Sequence, residues 1–189
     1  MPKIQHKELL VFALIVLAVW GAGTVAFIYY FPNITYSTWD NRVVNNGFGV
    51  NPSGVPVNTL YTLTTLSSPS TQNSLVGANH DTLYTMGVLD LSKGPQVLHV
   101  PDMDGRYYSV EFVDTWGDAS YVGQRTTGTQ AGDYLISGPG WKGNLPAGMK
   151  QIASSDNTVA LLGRVLVYND SDVTTAYNLS KQIQLAPLT

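Results

Sequence analysis

Cysteine is absent from this 189-residue chain, and charge is scarce, with charged residues making up 12% of the total. That share is about half the usual one for a globular domain. Without cysteine there are no disulfides, no thiolate metal ligands and no cysteine nucleophile, and the redox compartment stays open. The net charge of −3 and the lack of any basic run exclude a nucleic-acid footprint. Glu111 is the only glutamate after Glu8, which leaves only aspartates for the paired carboxylates of a glycosidase. There is no G-x-S-x-G, no H-E-x-x-H, no phosphate-binding glycine loop and no repeat of 20–50 residues.

What the chain does have is one long apolar run. Residues 9–31 are 23 residues without a charge. At helical rise they reach about 35 Å, enough to cross a hydrocarbon layer of about 30 Å with some tilt. Tyr29 and Tyr30 stand where an interfacial aromatic belt would lie. Lys3 and Lys7 precede the run and the next basic residue is Arg42, so the expected topology is a cytoplasmic segment 1–8, a span 9–31 and an outside remainder. A cleaved signal peptide is the alternative, with small residues near 22–26 for the cut, but its apolar core is shorter, roughly 7–15 residues. An intact anchor in the lipid bilayer is therefore expected. Ala18, Ala22 and Ala26 recur at four-residue spacing beside Gly21 and Gly23, a row that lets another subunit's helix approach closely in lipid. Small residues are also common in membrane helices generally.

Residues 32–75 read as a wrapping segment, with a short helix over 36–44 and turn-rich stretches NNGFGVNPSGVPVN and SSPSTQNS. Residues 76–189 read as a mainly β domain. Strands are predicted over 82–91, 96–100, 106–115, 133–137, 149–153 and 158–168, with a closing helix over 173–185 carrying Ala176, Leu179 and Ile183 on one stripe. Tyr108, Val110 and Phe112 alternate with Ser109 and Glu111, the period of a half-buried antiparallel strand. The turn Pro101-Asp102-Met103-Asp104-Gly105 has hairpin chemistry. The run 158–168 is apolar on both faces, as in a central strand covered on each side. Arg164 interrupts it and requires a carboxylate, with Asp90 or Asp114 as the expected partner. Trp141 is expected to plug one end of a sandwich.

The ordered series Asn79-His80-Asp81-Thr82-Leu83-Tyr84, Leu89-Asp90-Leu91, Gly94-Pro95, Pro101-Asp102, Gly105-Arg106-Tyr107-Tyr108, Arg125-Thr126-Thr127-Gly128, Gly138-Pro139-Gly140-Trp141 and Gly163-Arg164 resembles the domain-of-unknown-function 1254 family over roughly residues 79–188. The resemblance implies a jelly-roll-like antiparallel β-sandwich and carries no established catalytic residues. Many members of that family place a second β-rich domain after this one. The sequence reaches Thr189 without one, and this departure favours a binding or assembly role.

Candidate chemistry is thin. His80 as general base or metal ligand with Asp81 orienting it, joined by Asp114, would make a hydrolase or metal-dependent centre. Adjacent strand residues point to opposite faces, which argues against His80 and Asp81 serving one centre, and Asn and Asp before a strand also cap turns. A metal site would need His80, His99 and carboxylates such as Asp81, Asp102 or Asp104. The Asp102–Gly105 turn lacks the third acidic position and closing glutamate of a calcium loop. No metal and no cofactor is expected. Arg106, Tyr107, Tyr108, Arg125, Thr126 and Thr127 suggest a polar, aromatic cleft for a sugar or an anion, against a structural reading in which the arginines are ion-paired and the tyrosines pack the core. Asn33, Asn169 and Asn178 head glycosylation sequons, whereas Asn51 is excluded by Pro52. The expectation is a single-pass membrane protein with an extracytoplasmic sandwich, a non-catalytic accessory subunit of a larger assembly. A small-ligand binding module is the first alternative and an enzyme the second.

Overall fold

A computed structural model describes residues 6–68 and 80–188. Among the described residues a helix α1, His6–Asn46, is followed by nine strands: β1 Tyr61–Thr62, β2 Thr82–Asp90, β3 Gln96–Val100, β4 Tyr108–Asp114, β5 Ala119–Gly123, β6 Gly132–Ser137, β7 Lys150–Ala153, β8 Thr158–Leu166 and β9 Gln184–Pro187. A second helix, α2 Val173–Ser180, lies between β8 and β9. The strands form a five-stranded sheet in the order β1-β2-β8-β4-β5 and a four-stranded sheet in the order β7-β6-β3-β9. Every pairing is antiparallel except β6 with β7.

The two sheets face each other across one core. Leu83, Leu89, Tyr108, Val110, Phe112, Leu161 and Val165 enter it from the first sheet, and Leu98, Val100, Tyr134 and Ile136 from the second. Each such side chain taken fully out of water stabilises the fold by roughly 1.5–3 kcal/mol before chain entropy is counted. The alternation of β4 holds: Tyr108, Val110 and Phe112 point inward, while Ser109 and Glu111 are half-buried on the outer face.

The strand covered on both faces is β2, not β8 as its composition suggested. Leu83 and Leu89 face the sandwich core, whereas Met86 and Val88 face a second core with Val43 of α1 and Val55. β8 is central in its sheet, but its outer residues Leu162, Arg164 and Leu166 are only half-buried, because α1 covers β2 instead.

Helix α1 does not stop at the end of the apolar run. Pro32 lies inside it and costs one backbone hydrogen bond, yet the helix continues to Asn46. The continuation is fixed by tertiary packing. The Val55 amide donates to the Val43 carbonyl at 3.1 Å, Trp39 and Val44 pack on the second core, and the Tyr29 and Trp116 rings meet at 5.4 Å. Gly117 has φ +91°, and a Cβ there would come within 2.9 Å of the Tyr36 ring. Only glycine lets the β4–β5 turn approach the helix this closely. Residues 9–20 and 22–31, by contrast, are exposed, Tyr29 keeping only part of its ring against Trp116.

Three further expectations change. The residues before and after the Pro101–Gly105 turn are not hairpin partners: β3 pairs with β6 and β9, and β4 with β5 and β8, so the turn crosses between sheets. The turn chemistry is as read, with φ +47° at Asp104 and +72° at Gly105. The closing helix ends at Ser180 rather than at 185. Ile183 drops into the core and β9 pairs with β3 at the sheet edge, where the missing N–H of Pro187 costs nothing. Trp141 is half-buried over Gly143 and belongs to neither core.

Candidate functional site

His80 and Asp81 are exposed just ahead of β2, and Asn79 lies outside the described residues. Asp81 contributes its backbone carbonyl, which accepts from the Val167 amide at 2.8 Å. Asp114 is far from both. Thr82 stands opposite Leu166 and Asp114 opposite Val159, positions seven residues apart along β8. That separation is about 23 Å at strand rise. The expected centre of His80, Asp81 and Asp114 is therefore not assembled, because β2 and β4 place them at opposite ends of the sheet. The buried Asp114 instead knits the β4–β5 turn, accepting from the Trp116 amide at 2.9 Å, the Asp118 amide at 3.0 Å and the Ser155 hydroxyl. Beside it the Thr115 hydroxyl donates to Asp156.

The cleft expected from Arg106, Tyr108, Arg125 and Thr127 is also divided. Arg106 is buried and held bidentately by Asp172, with Nη1–Oδ2 at 2.5 Å and Nη2–Oδ1 at 2.9 Å. It also donates to the Leu166 carbonyl at 2.7 Å and lies 4.5 Å from the centre of the Tyr168 ring. The hydrogen bond from Arg106 holds the Asp172 carboxyl below its ordinary range. Arg106 is thus a clamp between the end of β8 and the turn before α2, as the structural reading had it. Tyr108 is fully buried, with its hydroxyl 3.5 Å from Thr127 Oγ1, and burial pushes its phenol pKa up. Thr127 Oγ1 in turn accepts from the Gly123 amide at 3.1 Å and closes the turn after β5.

Tyr107, Tyr108, Arg125 and Thr126 do share a groove of about 280 Å³, lined also by Ser109, Tyr121 and Arg164, whereas Arg106 and Thr127 are not part of it. Arg125 is exposed, 5.6 Å from the centre of the Tyr107 ring. Arg164 does not meet Asp90 or Asp114. It stands opposite Tyr84 and Ser109, six and five residues along β8 from the positions that face Asp90 and Asp114. Its carboxylate is Glu111, at 3.7 Å, which also accepts from the Tyr121 hydroxyl at 2.7 Å. Arg164 Nε is buried without a hydrogen-bond partner among the described residues. The sequence signal for this groove was the cluster of Tyr107, Tyr108, Arg125 and Thr126; the partner of Arg164 depended on register.

His99 pairs with Asp133 across β3 and β6, Nδ1 to Oδ1 at 2.7 Å, and is remote in register from His80. Asp102 Oδ1 accepts from the Asp104 amide at 2.8 Å, which is a turn and not a cation loop. Among the described residues no group of three or more histidine, aspartate or glutamate side chains could hold a metal. Asn33 lies within α1, and Asn169 accepts from the Ser171 amide and hydroxyl. Asn178 is exposed on α2, but the hydroxyl of its sequon residue, Ser180, is buried and donates to the Ala176 carbonyl. Ala18, Ala22 and Ala26 are exposed on α1.

Asp40 escaped the sequence reading: in α1 it is 7% exposed, and its Oδ1 has no hydrogen-bond partner among the described residues. Burial first, and the charge of Asp156 second, raise its pKa to about 6. A single aspartate in a short expected helix gave no hint of this, because its burial depends on what the helix packs against.

These features define a class: a two-sheet β-sandwich docked against a long helix that is apolar enough to span a membrane. The sequence profile of the proteins of unknown function DUF1254 matches residues 57–187, and the chain belongs to that family. Among solved structures it is similar to the VPA0106 protein from Vibrio parahaemolyticus, with 29% identity and a TM-score of 0.68 over 86% of this chain. The match covers 37% of that protein, so the chain spans little more than a third of its relative. It extends ahead of the family match, into residues 1–56, since residues 57–187 alone do not reach that coverage. An uncharacterized protein from Burkholderia cenocepacia is similar at 14% identity and a TM-score of 0.40, over 58% of this chain and 31% of that one. No curated protein matches.

Proposed function

We propose that this protein is a single-pass membrane protein whose sandwich is carried outside the cytoplasm as a non-catalytic accessory subunit of a larger membrane assembly. The observation that carries the reading is α1. Its apolar part is bare, whereas its last turns are built into the second core, so the domain is held at a set position on the helix. Lys3 and Lys7 ahead of the run favour a cytoplasmic amino terminus. The dispersal of His80, Asp81 and Asp114 supports a non-catalytic role. The test is gentle solubilisation of native membranes followed by isolation of the particle that holds this chain. A discrete complex with stoichiometric partners is expected; a lone monomer would overturn the reading.

A second reading has its own observation, the groove of Tyr107, Tyr121, Arg125 and Arg164. Two guanidinium groups beside phenol rings suit an anionic or hydroxyl-rich small ligand. A ligand screen followed by Arg125→Ala tests it. Saturable binding that weakens about tenfold or more in the variant, with the fold intact, supports a binding module.

A further inference from the structure

The contact between Tyr29 and Trp116 links the β domain to the apolar part of α1. Residues 9–31 make about 35 Å of helix against about 30 Å of hydrocarbon, so each end overhangs by about 2 Å. Tyr29 is two residues, about 3 Å, inside the outer end of that run. It therefore lies near the hydrocarbon boundary, where an interfacial aromatic ring belongs. Trp116 lies beside it, 5.4 Å between ring centres, and is itself 40% exposed.

The depth of Trp116 is not left to a flexible tether. Gly117, the next residue, fits against the Tyr36 ring two helical turns above Tyr29, and Val43 two turns further on is buried in the second core. The tip itself is braced by Asp114, which holds the Trp116 and Asp118 amides. An exposed indole at a fixed height beside the end of a membrane span is where tryptophan is most favourable, its ring in the acyl boundary and its N–H among head groups.

We infer that the β4–β5 tip is a second membrane contact: Trp116 inserts at the boundary between head groups and acyl chains and seats the sandwich on the bilayer. Its lipid partner is zwitterionic, because the exposed Asp118, two residues along the same turn, would repel anionic head groups. The inference rests on α1 being a membrane span, and the test separates the two.

The full chain carries tryptophan at 20, 39, 116 and 141. Two single-tryptophan forms, each with the other three changed to phenylalanine, retain Trp116 or Trp20, and both are reconstituted in phosphatidylcholine vesicles. Lipids brominated near the head-group end or the far end of the acyl chains report depth. Trp20 should be quenched most by the deep bromines, and Trp116 by the shallow ones with blue-shifted emission. Trp20 quenched while Trp116 responds only to aqueous iodide overturns the inference and leaves the anchor standing. Neither responding to bromine overturns both. Should the triple replacement misfold, the absence of cysteine allows a single change. Trp116→Cys carrying a nitroxide should be more accessible to oxygen than to an aqueous nickel chelate, whereas Asp170→Cys at an exposed site should show the reverse. Equal aqueous accessibility at both positions overturns the inference.

Discussion

At the scale of single residues, Asp40 gives the molecule a pH dependence of definite sign. Its folded pKa of about 6 stands above the ordinary aspartate value of 3.8, because burial disfavours the carboxylate and Asp156 adds a like charge. Between those values the folded chain keeps a proton that the unfolded chain has released, so stability falls as pH rises through the window. Above about pH 6 the full cost is present. Asp40→Asn should remove that slope and stabilise the chain at neutral pH by on the order of 1–2 kcal/mol after solvent screening. Thermal unfolding of the detergent-solubilised chain between about pH 4 and 7 measures it; an unchanged slope would discard Asp40 as its source. Asp172 and Asp90 act oppositely and lower, since hydrogen bonds depress both carboxyls and their contribution is lost only as pH falls below the unfolded value. The two arginines proposed for one cleft separate by the same physics. Arg106→Ala strands Asp172 and the Leu166 carbonyl and should cost about 2–4 kcal/mol, whereas Arg125→Ala, exposed over Tyr107, should change stability by less than about 0.5 kcal/mol. Denaturant midpoints decide it, and equal losses would mean that Arg125 is also structural. The residue types at these sites were legible in the sequence, but their partners were not. Which carboxylate meets Arg164, and whether Arg106 faces a groove or an ion pair, depends on strand register, which composition does not encode.

Among the elements, the join between α1 and the β4–β5 turn determines how the domain is carried. Gly117→Val would place a branched side chain at a φ of +91° and drive it toward the Tyr36 ring. A loss of about 2–4 kcal/mol in docking is expected, the sum of backbone strain and collision. Hydrogen exchange should quicken over residues 36–46 while the β4 and β8 amides stay protected. Gly128→Ala, at φ +86° with open space around it, is the control for strain alone. If both variants loosen residues 36–46 alike, or neither does, the close approach of Gly117 is not what holds the helix. Strand β4 announced itself in the sequence by its period of two, because one face meets the core, and β2 and β8 by their longer apolar runs. The edge strands β5 and β9 did not. Ala119, Ser120 and Tyr121 are exposed, and β9 ends in a proline that reads as a stop. The continuation of α1 past Pro32 was hidden for a related reason: local propensity argues for a break, and only the second core, assembled from residues 43, 55, 86 and 88, offsets it.

For the whole molecule, the open question is what covers the apolar half of α1. Lipid covers any apolar helix, but the row Ala18, Ala22 and Ala26, with Gly21 and Gly23 showing no atom within 4 Å of a built Cβ, leaves a shallow track on which a second helix can lie close. In lipid such association is driven by packing and close backbone approach, since lipid tails are as apolar as the side chains. Changing Ala18, Ala22 and Ala26 together to leucine fills the track while making the run more apolar. The span should therefore survive, and the variant should stay in the membrane pellet after carbonate extraction. On the proposed reading the loss of close approach should weaken partner association, by about tenfold for each 1.4 kcal/mol of packing lost. Co-purification from native membranes, with partner recovery compared at equal bait, reads the effect. Loss of partners with full membrane retention assigns the contact to this track. Unchanged recovery places it on the sandwich instead, where the half-buried outer face of β8 and the exposed edge of β5 are the surfaces left to carry it.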